Sequence, residues 1–472
     1  MTKQIQQLLN DKAWARWTAL VLVASMMFFA YMFVDVMSPL KTLLETKLQW
    51  SSSTFGTYAA SEYFLNVFVF FLIFAGIILD KMGIRFTGLL SASMMVIGAS
   101  IKLVGVSEWF QNTDFCLWLD SWWTSFPGSA KMASFGFMIF GCGCEMVGTT
   151  VSKAIAKWFK GKEMALAMGV EMSIARLGVF AVMWIAPLVS NHFDKSVVAP
   201  VAFCTALLLI GLICYIVFSF MDTKLDHQLA VEGKAKSALE EGGEDEEFHI
   251  SDLGKILRSK MFWLVALLCV LYYSGIFPFQ RYAPNYVQET LGVTAEAASR
   301  IFSLFPILAM VLTPFLGAFI DYKGYGATML IIGAVIMTVC HLCFAYLLPA
   351  VPQTWLAITL ILVLGVSFSL VPAALWPSVP KIIEPNILGS AYCMIFWIQN
   401  IGLCLVPLLI GKVLDATGGY RVPMLIFSSF GVLAIIFGLW LKALNAKYHY
   451  GLEDPNVKNT EAEKAEVESV DM

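Results

Sequence analysis

The feature that most constrains this chain is the recurrence of long apolar segments. Apolar runs of about 20 residues follow one another along nearly its whole length, and 59% of the 472 residues are hydrophobic while only 14% are charged. Such a run is long enough to cross a bilayer as a helix, whereas a soluble protein carries about 25% charged residues. The chain is therefore predicted to be an all-α polytopic membrane protein.

The hydropathy pattern predicts twelve transmembrane helices, called spans 1 to 12 below. They lie at residues 17–38, 56–79, 84–105, 132–156, 163–189, 197–221, 261–283, 296–320, 326–349, 354–378, 386–412 and 420–444. Residues 1–221 form a predicted N-terminal half of six helices, and residues 261–446 form a C-terminal half. The polar interval 222–260, with its acidic run at 240–247, is predicted to be a cytoplasmic linker. Residues 447–472 are predicted to be a disordered cytoplasmic tail.

A short motif occurs once in each half. A glycine, an acid one helical turn later and a basic tight turn end span 2, and the pattern returns at the end of span 8. Its residues are Gly76, Asp80, Lys81, Gly83 and Arg85 in the first copy, and Gly317, Asp321, Lys323 and Gly324 in the second. The two acids are 321 − 80 = 241 residues apart, about half the chain. The motif predicts an internal repeat of six spans, in which each copy caps one helix end and holds the neighbouring helix by charge.

Two charges in spans 4 and 5 lie at one depth. Glu145 precedes Trp158 by 13 residues and Arg176 follows Glu163 by 13, so both lie roughly 20 Å below the same surface. Charges at such depth are costly and usually face a bundle interior or a wet cavity. The two charges either neutralise each other between helices or bind a zwitterionic or polar solute. Glu171, on another side of the helix from Arg176, favours the solute site.

Polar residues in the outer part of the bundle form a second group. Asp35 lies near the outer end of span 1, and Glu62 and Asn66 lie in span 2. With Arg281, they are predicted to line an entrance or to carry a proton; solvated helix ends are the alternative for the two acids. In span 7, Pro278 is expected to break the helix before Arg281.

The second half contributes aromatic and amide side chains near the middle of its spans. The predicted substrate-binding residues there are Tyr272, Tyr273, Trp376, Trp397, Gln399 and Asn400. Aromatic rings and amides that face charges across a cavity suit a small polar solute with some apolar bulk. For each aromatic residue alone, packing is the alternative.

Other features bear on orientation and partners. Lys and Arg concentrate in the loops after even-numbered spans, which predicts that both termini are cytoplasmic. The ten cysteines lack a CxxC pair or metal-ligand spacing, so no metal, cofactor or disulfide framework is predicted. The expected partners are a small-molecule substrate and the lipid bilayer, with no nucleic acid, and the protein is expected to be a monomer. An enzyme is disfavoured because none of the five histidines is paired at ligand spacing, and a receptor because the linker and tail look disordered.

The repeated motif resembles the signature of the major facilitator superfamily. Longer runs are similar to the dipeptide transporters of that superfamily: GCE at 143–145, WFKGKE at 158–163, SIARLG at 173–178, YYSGIFPF at 272–279, ALWPSV at 374–379, and LGSAY and IQNIGL within 388–403. The resemblance implies two six-helix halves that expose a midplane site alternately to each side, with the loops at Asp80 and Asp321 as gates. It also implies that Glu145 and Arg176 belong to a peptide site.

The sequence leaves several functions open. The leading hypothesis is a secondary transporter of dipeptides or similar zwitterions, by symport or uniport. An organic anion or organophosphate carrier that uses Arg176 and Arg281 is the alternative within transport, and a membrane receptor is the alternative outside it. Because Leu8 and Leu9 lack the acidic context of a lysosomal sorting signal and no outer loop holds a glycosylation acceptor, a bacterial cytoplasmic membrane is expected.

Overall fold

The computed structural model describes residues 8–159, 162–231, 253–383 and 388–455. All regular structure in these ranges is helical. The long helices are Ala13–Asp35, Ser52–Phe68, Phe71–Val106, Gly128–Phe159, Met164–His192, Val198–Val231, Lys260–Leu291, Leu304–Lys323, Gly326–Leu342, Thr354–Ile382, Leu388–Thr417 and Arg421–Tyr448. Shorter helices include Lys41–Lys47, Glu108–Gln111, Asp114–Ser121, Leu253–Arg258 and Ala295–Phe302, and a π-helical turn, Cys343–Leu347, extends span 9.

The chain crosses the bundle twelve times, as predicted, although span 2 is interrupted. Its first part, Ser52–Phe68, stops at Val69 and Phe70, and the chain becomes helical again at Phe71. Gly83 then turns the chain into span 3, with φ 74° and ψ 174°, values open mainly to glycine. Because of the interruption, 11 helices in the described ranges are long and apolar enough to cross a membrane.

The ends of the spans define two faces of the bundle. The terminal face carries residues 8–12, 162–163, 253–259 and 449–455, and the distal face carries residues 36–51, 107–127, 193–197, 292–294, 351–353 and 418–420. On the terminal face, Arg16 pairs with Glu163 at 3.0 Å and Lys162 with Asp11 at 2.7 Å. The pKa of Glu163 is lowered by a backbone hydrogen bond at its own residue and by Arg16. The start of span 1 and the turn before it, residues 11–16, are thereby attached to the turn between spans 4 and 5.

The predicted linker begins too early. Span 6 continues as a helix to Val231, beyond the predicted start at residue 222. Its extension is stabilised because Asp222 is fully buried and accepts hydrogen bonds at 2.9 Å from Lys157 and from Trp158 Nε1. The hydropathy pattern ended span 6 at its first acid, but that acid is paired with span 4. Residues 232–252, which include the acidic run, lie outside the described residues.

The prediction of a disordered tail is wrong for its first residues. After span 12, residues 449–455 fold back onto the start of span 9, where the Glu453 carboxylate accepts a hydrogen bond from Thr328 N at 2.8 Å. Tyr325 N donates to the Glu453 carbonyl at 2.9 Å, and Leu452 is buried. The first N–H groups of a helix lack partners within the helix. The Glu453 carboxylate accepts from one of them and so caps the start of span 9. Residues 456–472 lie outside the described residues.

The predicted break at Pro278 is also wrong. Span 7 is one continuous helix, Lys260–Leu291, that contains Pro278 and Pro284. A proline removes one backbone hydrogen bond, but neighbouring helices can satisfy the freed groups inside a bundle. His341 Nε2 lies 3.1 Å from the carbonyl oxygen of Gly275, in the turn that Pro278 weakens.

The repeated motif has the same backbone turn in both halves. Gly83 has φ 74° and Gly324 has φ 79° at equivalent positions. In the first copy, Asp80 pairs with Lys153 at 2.8 Å and Arg85 with Asp226 at 3.0 Å. These pairs connect the turn to spans 4 and 6. In the second copy, the folded-back tail packs against the turn instead. The approach is so close that a Cβ atom on Gly324 would lie 2.2 Å from the Glu453 carbonyl oxygen.

Candidate functional site

Polar contacts between the halves close the distal side of the central cleft. The Asp415 carboxylate accepts hydrogen bonds from the backbone N–H groups of Ser52 and Ser53, both at 2.8 Å. Thr42 Oγ1 lies 3.0 Å from Gln288 Oε1 and accepts from Asn285 Nδ2 at 3.1 Å. Both contacts join an N-terminal span end to a C-terminal one. The structure is therefore the state in which the distal side is closed.

Beneath these contacts lies a buried ion cluster that also joins the halves. Arg281 of span 7 pairs with Asp35 at 3.1 Å and with Glu62. Gln280 Nε2 donates to Asp35 at 2.6 Å, and Arg281 also donates to the carbonyl of Val34. Asp35 and Glu62 are 0% and 4% exposed, so they are not solvated helix ends. The predicted entrance residues Asp35, Glu62 and Arg281 are brought together as a closed contact.

Lys102 of span 3 lies beside this cluster and was missed by the sequence analysis. It is fully buried, and its Nζ atom lies 4.1 Å from the ring centroid of Phe33, 4.5 Å from that of Phe137 and 5.1 Å from that of Tyr58. Its hydrogen bond is a long one, 3.5 Å to the carbonyl of Phe33. The available signal was a single lysine inside an apolar span.

Arg176 lies in the cleft among aromatic rings from both halves. Its guanidinium is 5.0 Å from the ring centroid of Phe368 and 5.4 Å from that of Phe277, both in the C-terminal half. Tyr31 of span 1 is at 5.9 Å. Within the described ranges, no carboxylate lies within salt-bridge distance of Arg176. Its positive charge is held by rings and is available for an anionic group.

The carboxylates of Glu145 and Glu171 are also without an ion pair in the part of the chain that the structure describes. Glu171 is 7% exposed, and Glu145 is partly buried. Tyr31 lies within electrostatic range of Arg176, Glu171 and Glu145. The interpretation of Glu145 and Arg176 as a mutually neutralising pair is therefore wrong, and unpaired charges of both signs share the cleft.

Aromatic residues of the C-terminal half continue from Arg176. Tyr273 stacks on Phe277 with ring centroids 5.2 Å apart, and its hydroxyl accepts a hydrogen bond from Trp376 Nε1 at 3.3 Å. The predicted site residues Tyr273 and Trp376 thus belong to the aromatic wall that Arg176 faces. Phe277 and Phe368 were missed because phenylalanine in an apolar span carries no distinguishing signal.

Other predicted site residues lie elsewhere. Tyr272 is buried inside the C-terminal half, where its hydroxyl donates to the Leu330 carbonyl, and Gln399 accepts from Cys269 Sγ at 3.3 Å. The contact of Tyr272 uses its one polar side-chain atom, so we remove Tyr272 from the candidate site. The contact of Gln399 uses only Oε1, so Gln399 stays a candidate. Trp397 contacts the interrupted part of span 2, with Nε1 3.1 Å from the Val67 carbonyl oxygen.

Two buried amides have polar atoms without a partner among the described residues. Both side-chain polar atoms of Asn66 and the Nδ2 atom of Asn400 make no hydrogen bond, and each residue is 1% exposed. A buried amide without a partner costs free energy, and these two amides lie on spans 2 and 11, which pack against each other across the halves. A small cavity of about 10 Å³ lies nearby, between Tyr63, Phe277 and Arg281.

The sequence has known relatives. It matches the Major Facilitator Superfamily over residues 23–407 and 282–468. It is 26% identical to the lysosomal dipeptide transporter MFSD1 of Homo sapiens over 414 residues, 85% of this chain and 81% of that protein. It is 24% identical to the hexuronate transporter of Bacillus subtilis over 66% of this chain and 74% of that protein. The nucleoside transporter NupG shares the fold, with a TM-score of 0.63 and 15% identity over 90% of this chain and 98% of NupG.

Proposed function

Because the chain belongs to the Major Facilitator Superfamily and is an integral membrane transporter, we propose that it carries small zwitterions, and dipeptides above all. The observation that carries this proposal is the pair of unpaired, opposite charges in the cleft. Arg176 and Glu145 lie on consecutive spans at one depth, and neither has an ion-pair partner among the described residues.

A dipeptide complements these charges at both ends. A guanidinium binds a carboxylate through two parallel hydrogen bonds, so Arg176 would hold the peptide carboxylate. Glu145 would accept hydrogen bonds from the α-ammonium group. The aromatic wall of Phe277, Phe368 and Tyr273 would then contact the side chains, because rings offer apolar area without demanding one shape. The similarity to MFSD1, which is a dipeptide transporter, supports this assignment.

Transport would follow from rocking of the two halves about the site. In the distal-closed state, Asp415, Thr42 and the Arg281 cluster hold the halves together on one side. Opening the distal side requires these contacts to separate while the turns at Asp80 and Asp321 close the terminal side. Exchange between the two states would carry the peptide across, with or without a coupled proton.

We place the terminal face, with both chain termini, in the cytoplasm of a bacterial cell and the distal face outside its inner membrane. Basic residues on the terminal face support this orientation, because cytoplasmic loops carry an excess of Lys and Arg. Lys12, Arg16, Lys157 and Lys162 lie there. Maleimide labelling of intact cells with a single cysteine at position 49 or at position 449 tests the orientation, with labelling expected only at position 49.

Thermal stabilisation of the purified protein tests the substrate class. A ligand that binds the folded state raises its apparent stability. We expect a dipeptide such as Ala-Ala to raise the melting temperature and its N-acetylated and C-amidated forms to have little effect. Stabilisation by hexuronates or phosphate esters, without any by dipeptides, would contradict the proposal and support an anion carrier.

A further inference from the structure

Lys102 is a buried basic side chain whose environment, in the described part of the chain, offers it no acidic partner. Lysine is almost never fully buried unless it is paired, yet among the described residues no carboxylate lies within salt-bridge distance of its ammonium group. Three aromatic rings and one distant carbonyl surround it instead. Cation–π contacts stabilise such a charge only in part, so its position needs a reason beyond packing.

The neighbouring charges supply that reason. Lys102 lies within electrostatic range of Asp35, Glu62 and Arg281. Lys102 and Arg281 both lie over the ring of Phe137, whose centroid is 4.5 Å from Lys102 Nζ and 5.8 Å from Arg281 Cζ. The four groups are two acids and two bases. In the distal-closed state Arg281 is paired with both acids, and Lys102 is paired with neither.

The four charges do not belong to the same half. Asp35, Glu62 and Lys102 lie on spans 1, 2 and 3 of the N-terminal half, and Arg281 lies on span 7 of the C-terminal half. Separation of the halves on the distal side therefore removes Arg281 from both acids. Buried carboxylates that lose their cation are strongly destabilised. Lys102 is the cation that stays with them among the described residues.

We propose that Lys102 is a reserve counter-ion that replaces Arg281 when the distal side opens. Its ammonium group leaves the ring of Phe33 and pairs with Asp35 and Glu62, and it returns when Arg281 comes back. The side chain already reaches span 1, because its Nζ atom donates to the carbonyl of Phe33, two residues before Asp35 in the sequence. The Tyr58 hydroxyl, buried beside the same cage without a partner among the described residues, is a further group available to the moving ammonium. The proposal rests on the alternating access of the proposed function but not on the identity of the substrate.

The test is the population of the distal-open state in the full-length protein. Spin labels at positions 46 and 353, on the distal ends of the two halves, report the distance across the distal face in a background without native cysteines. We expect a short and a long distance in the parent protein. Lys102→Met should reduce the long-distance population several-fold, because the two acids then have no cation beside them in the open state. Lys102→Arg should keep both populations.

A second substitution separates charge from packing. Glu62→Gln removes one of the two acids and by itself weakens closure through Arg281, so the single variant Glu62→Gln is the reference for the double variant. The effect of Lys102→Met on the long-distance population should be several-fold smaller in the Glu62→Gln background than in the parent background. A lysine that merely fills the aromatic cage would lower the long-distance population by the same factor in both backgrounds. That result, or equal distance distributions in Lys102→Met and the parent, would overturn the proposal. If Lys102→Met does not fold, Lys102→Gln takes its place in both backgrounds. Binding of dipeptides, tested separately, does not affect this result.

Discussion

At the scale of single residues, the cleft contains two kinds of charge. Arg281, Asp35 and Glu62 neutralise one another across the halves, whereas Arg176, Glu145 and Glu171 have no ion-pair partner among the described residues. The first group holds the structure closed and the second is free to bind. In the closed state, the charges of the Arg281 cluster are paired without a ligand. The charges of Arg176, Glu145 and Glu171 would be paired only when a ligand is bound.

This division predicts which variant loses the binding preference for the free carboxylate of a dipeptide and which loses the preference for its free ammonium group. In Arg176→Ala, binding of Ala-Ala should weaken roughly ten- to hundredfold, since a charge-assisted contact is lost, and Ala-Ala should no longer bind better than its C-amide. Glu145→Gln should instead abolish the preference over the N-acetylated form. Isothermal titration measures both ratios.

The matched control is Arg421→Ala. Arg421 is an exposed arginine that also lies over an aromatic ring, Tyr346 at 4.6 Å, but on the distal face. The control variant should bind Ala-Ala as the parent does. If Arg176→Ala still bound Ala-Ala more tightly than its C-amide, Arg176 would not be the residue that binds the carboxylate.

Sequence reasoning reached the residues that stand out chemically. Glu145 and Arg176 are charges inside apolar runs, so both their depth and their cost followed from position alone. Tyr272 was misplaced because hydropathy cannot tell which side of a buried helix faces the cleft. Lys102 was overlooked although it gave the same signal as Glu145.

At the scale of elements, the two copies of the motif differ in what surrounds the turn. Gly83→Ala should destabilise the protein by about 1–3 kcal/mol, because its backbone conformation is open mainly to glycine. Gly324→Ala should cost more, since its Cβ atom would also meet the Glu453 carbonyl. Thermal unfolding in detergent compares the two variants.

The chain offers controls for this prediction within the same motif. Gly76 and Gly317 lie in helices, and a Cβ atom added there meets nothing within 4 Å. Replacing either by alanine should leave stability unchanged or raise it by up to about 1 kcal/mol. Equal losses of stability in all four variants would mean that Gly83 and Gly324 are not needed for their positive φ angles.

The interruption of span 2 leads to a second prediction for an element. The Val67 carbonyl, left without its helical partner at the break, accepts from Trp397 of the other half, and Phe70, with φ 56°, stacks on the same ring. Trp397→Phe keeps the ring but removes the donor, at a cost of about 1–3 kcal/mol. We expect a lower melting temperature, whereas Trp355→Phe, at an indole that is 63% exposed, should change little. Similar shifts in both variants would show that the hydrogen bond does not hold the break.

Element positions could largely be predicted from hydropathy, but their irregularities could not. Phenylalanine at a left-handed position carries no sequence signal, so the break at Phe70 was not expected. Pro278 carries a strong signal, yet the bundle accommodates it beside His341. Asp222 ended the predicted span 6 because a single sequence does not show that Lys157 and Trp158 are its partners.

At the scale of the whole molecule, the two halves are held closed at the distal face by few groups. The Asp415 carboxylate caps the N-terminal end of span 2 from span 11. Asp415→Asn removes its negative charge and should weaken distal closure by about 1 kcal/mol, which is about a fivefold shift toward the open state. Spin-label distances across the distal face measure the shift.

Asp114→Asn is the control, because Asp114 lies on the same face in a short helix within one half. Its distances should match those of the parent protein. An Asp415→Asn variant that remained as closed as the parent would show that Asp415 does not contribute to closure.

The two-half architecture could be predicted because the motif repeats at half the chain length, and the same glycine turn recurs in both halves. The conformational state could not be predicted. Both states use the same helices, and they differ in pairings such as Arg281 with Asp35, which join residues far apart in the chain.

The most direct test of the central claim is counterflow in proteoliposomes that contain only this protein. Vesicles loaded with unlabelled Ala-Ala should take up labelled Ala-Ala from outside, and Arg176→Ala vesicles should not. Vesicles loaded with a hexuronate should show no exchange. Rapid exchange of hexuronate or another organic anion, together with no movement of dipeptide, would contradict the account and reassign Arg176 to an anion site.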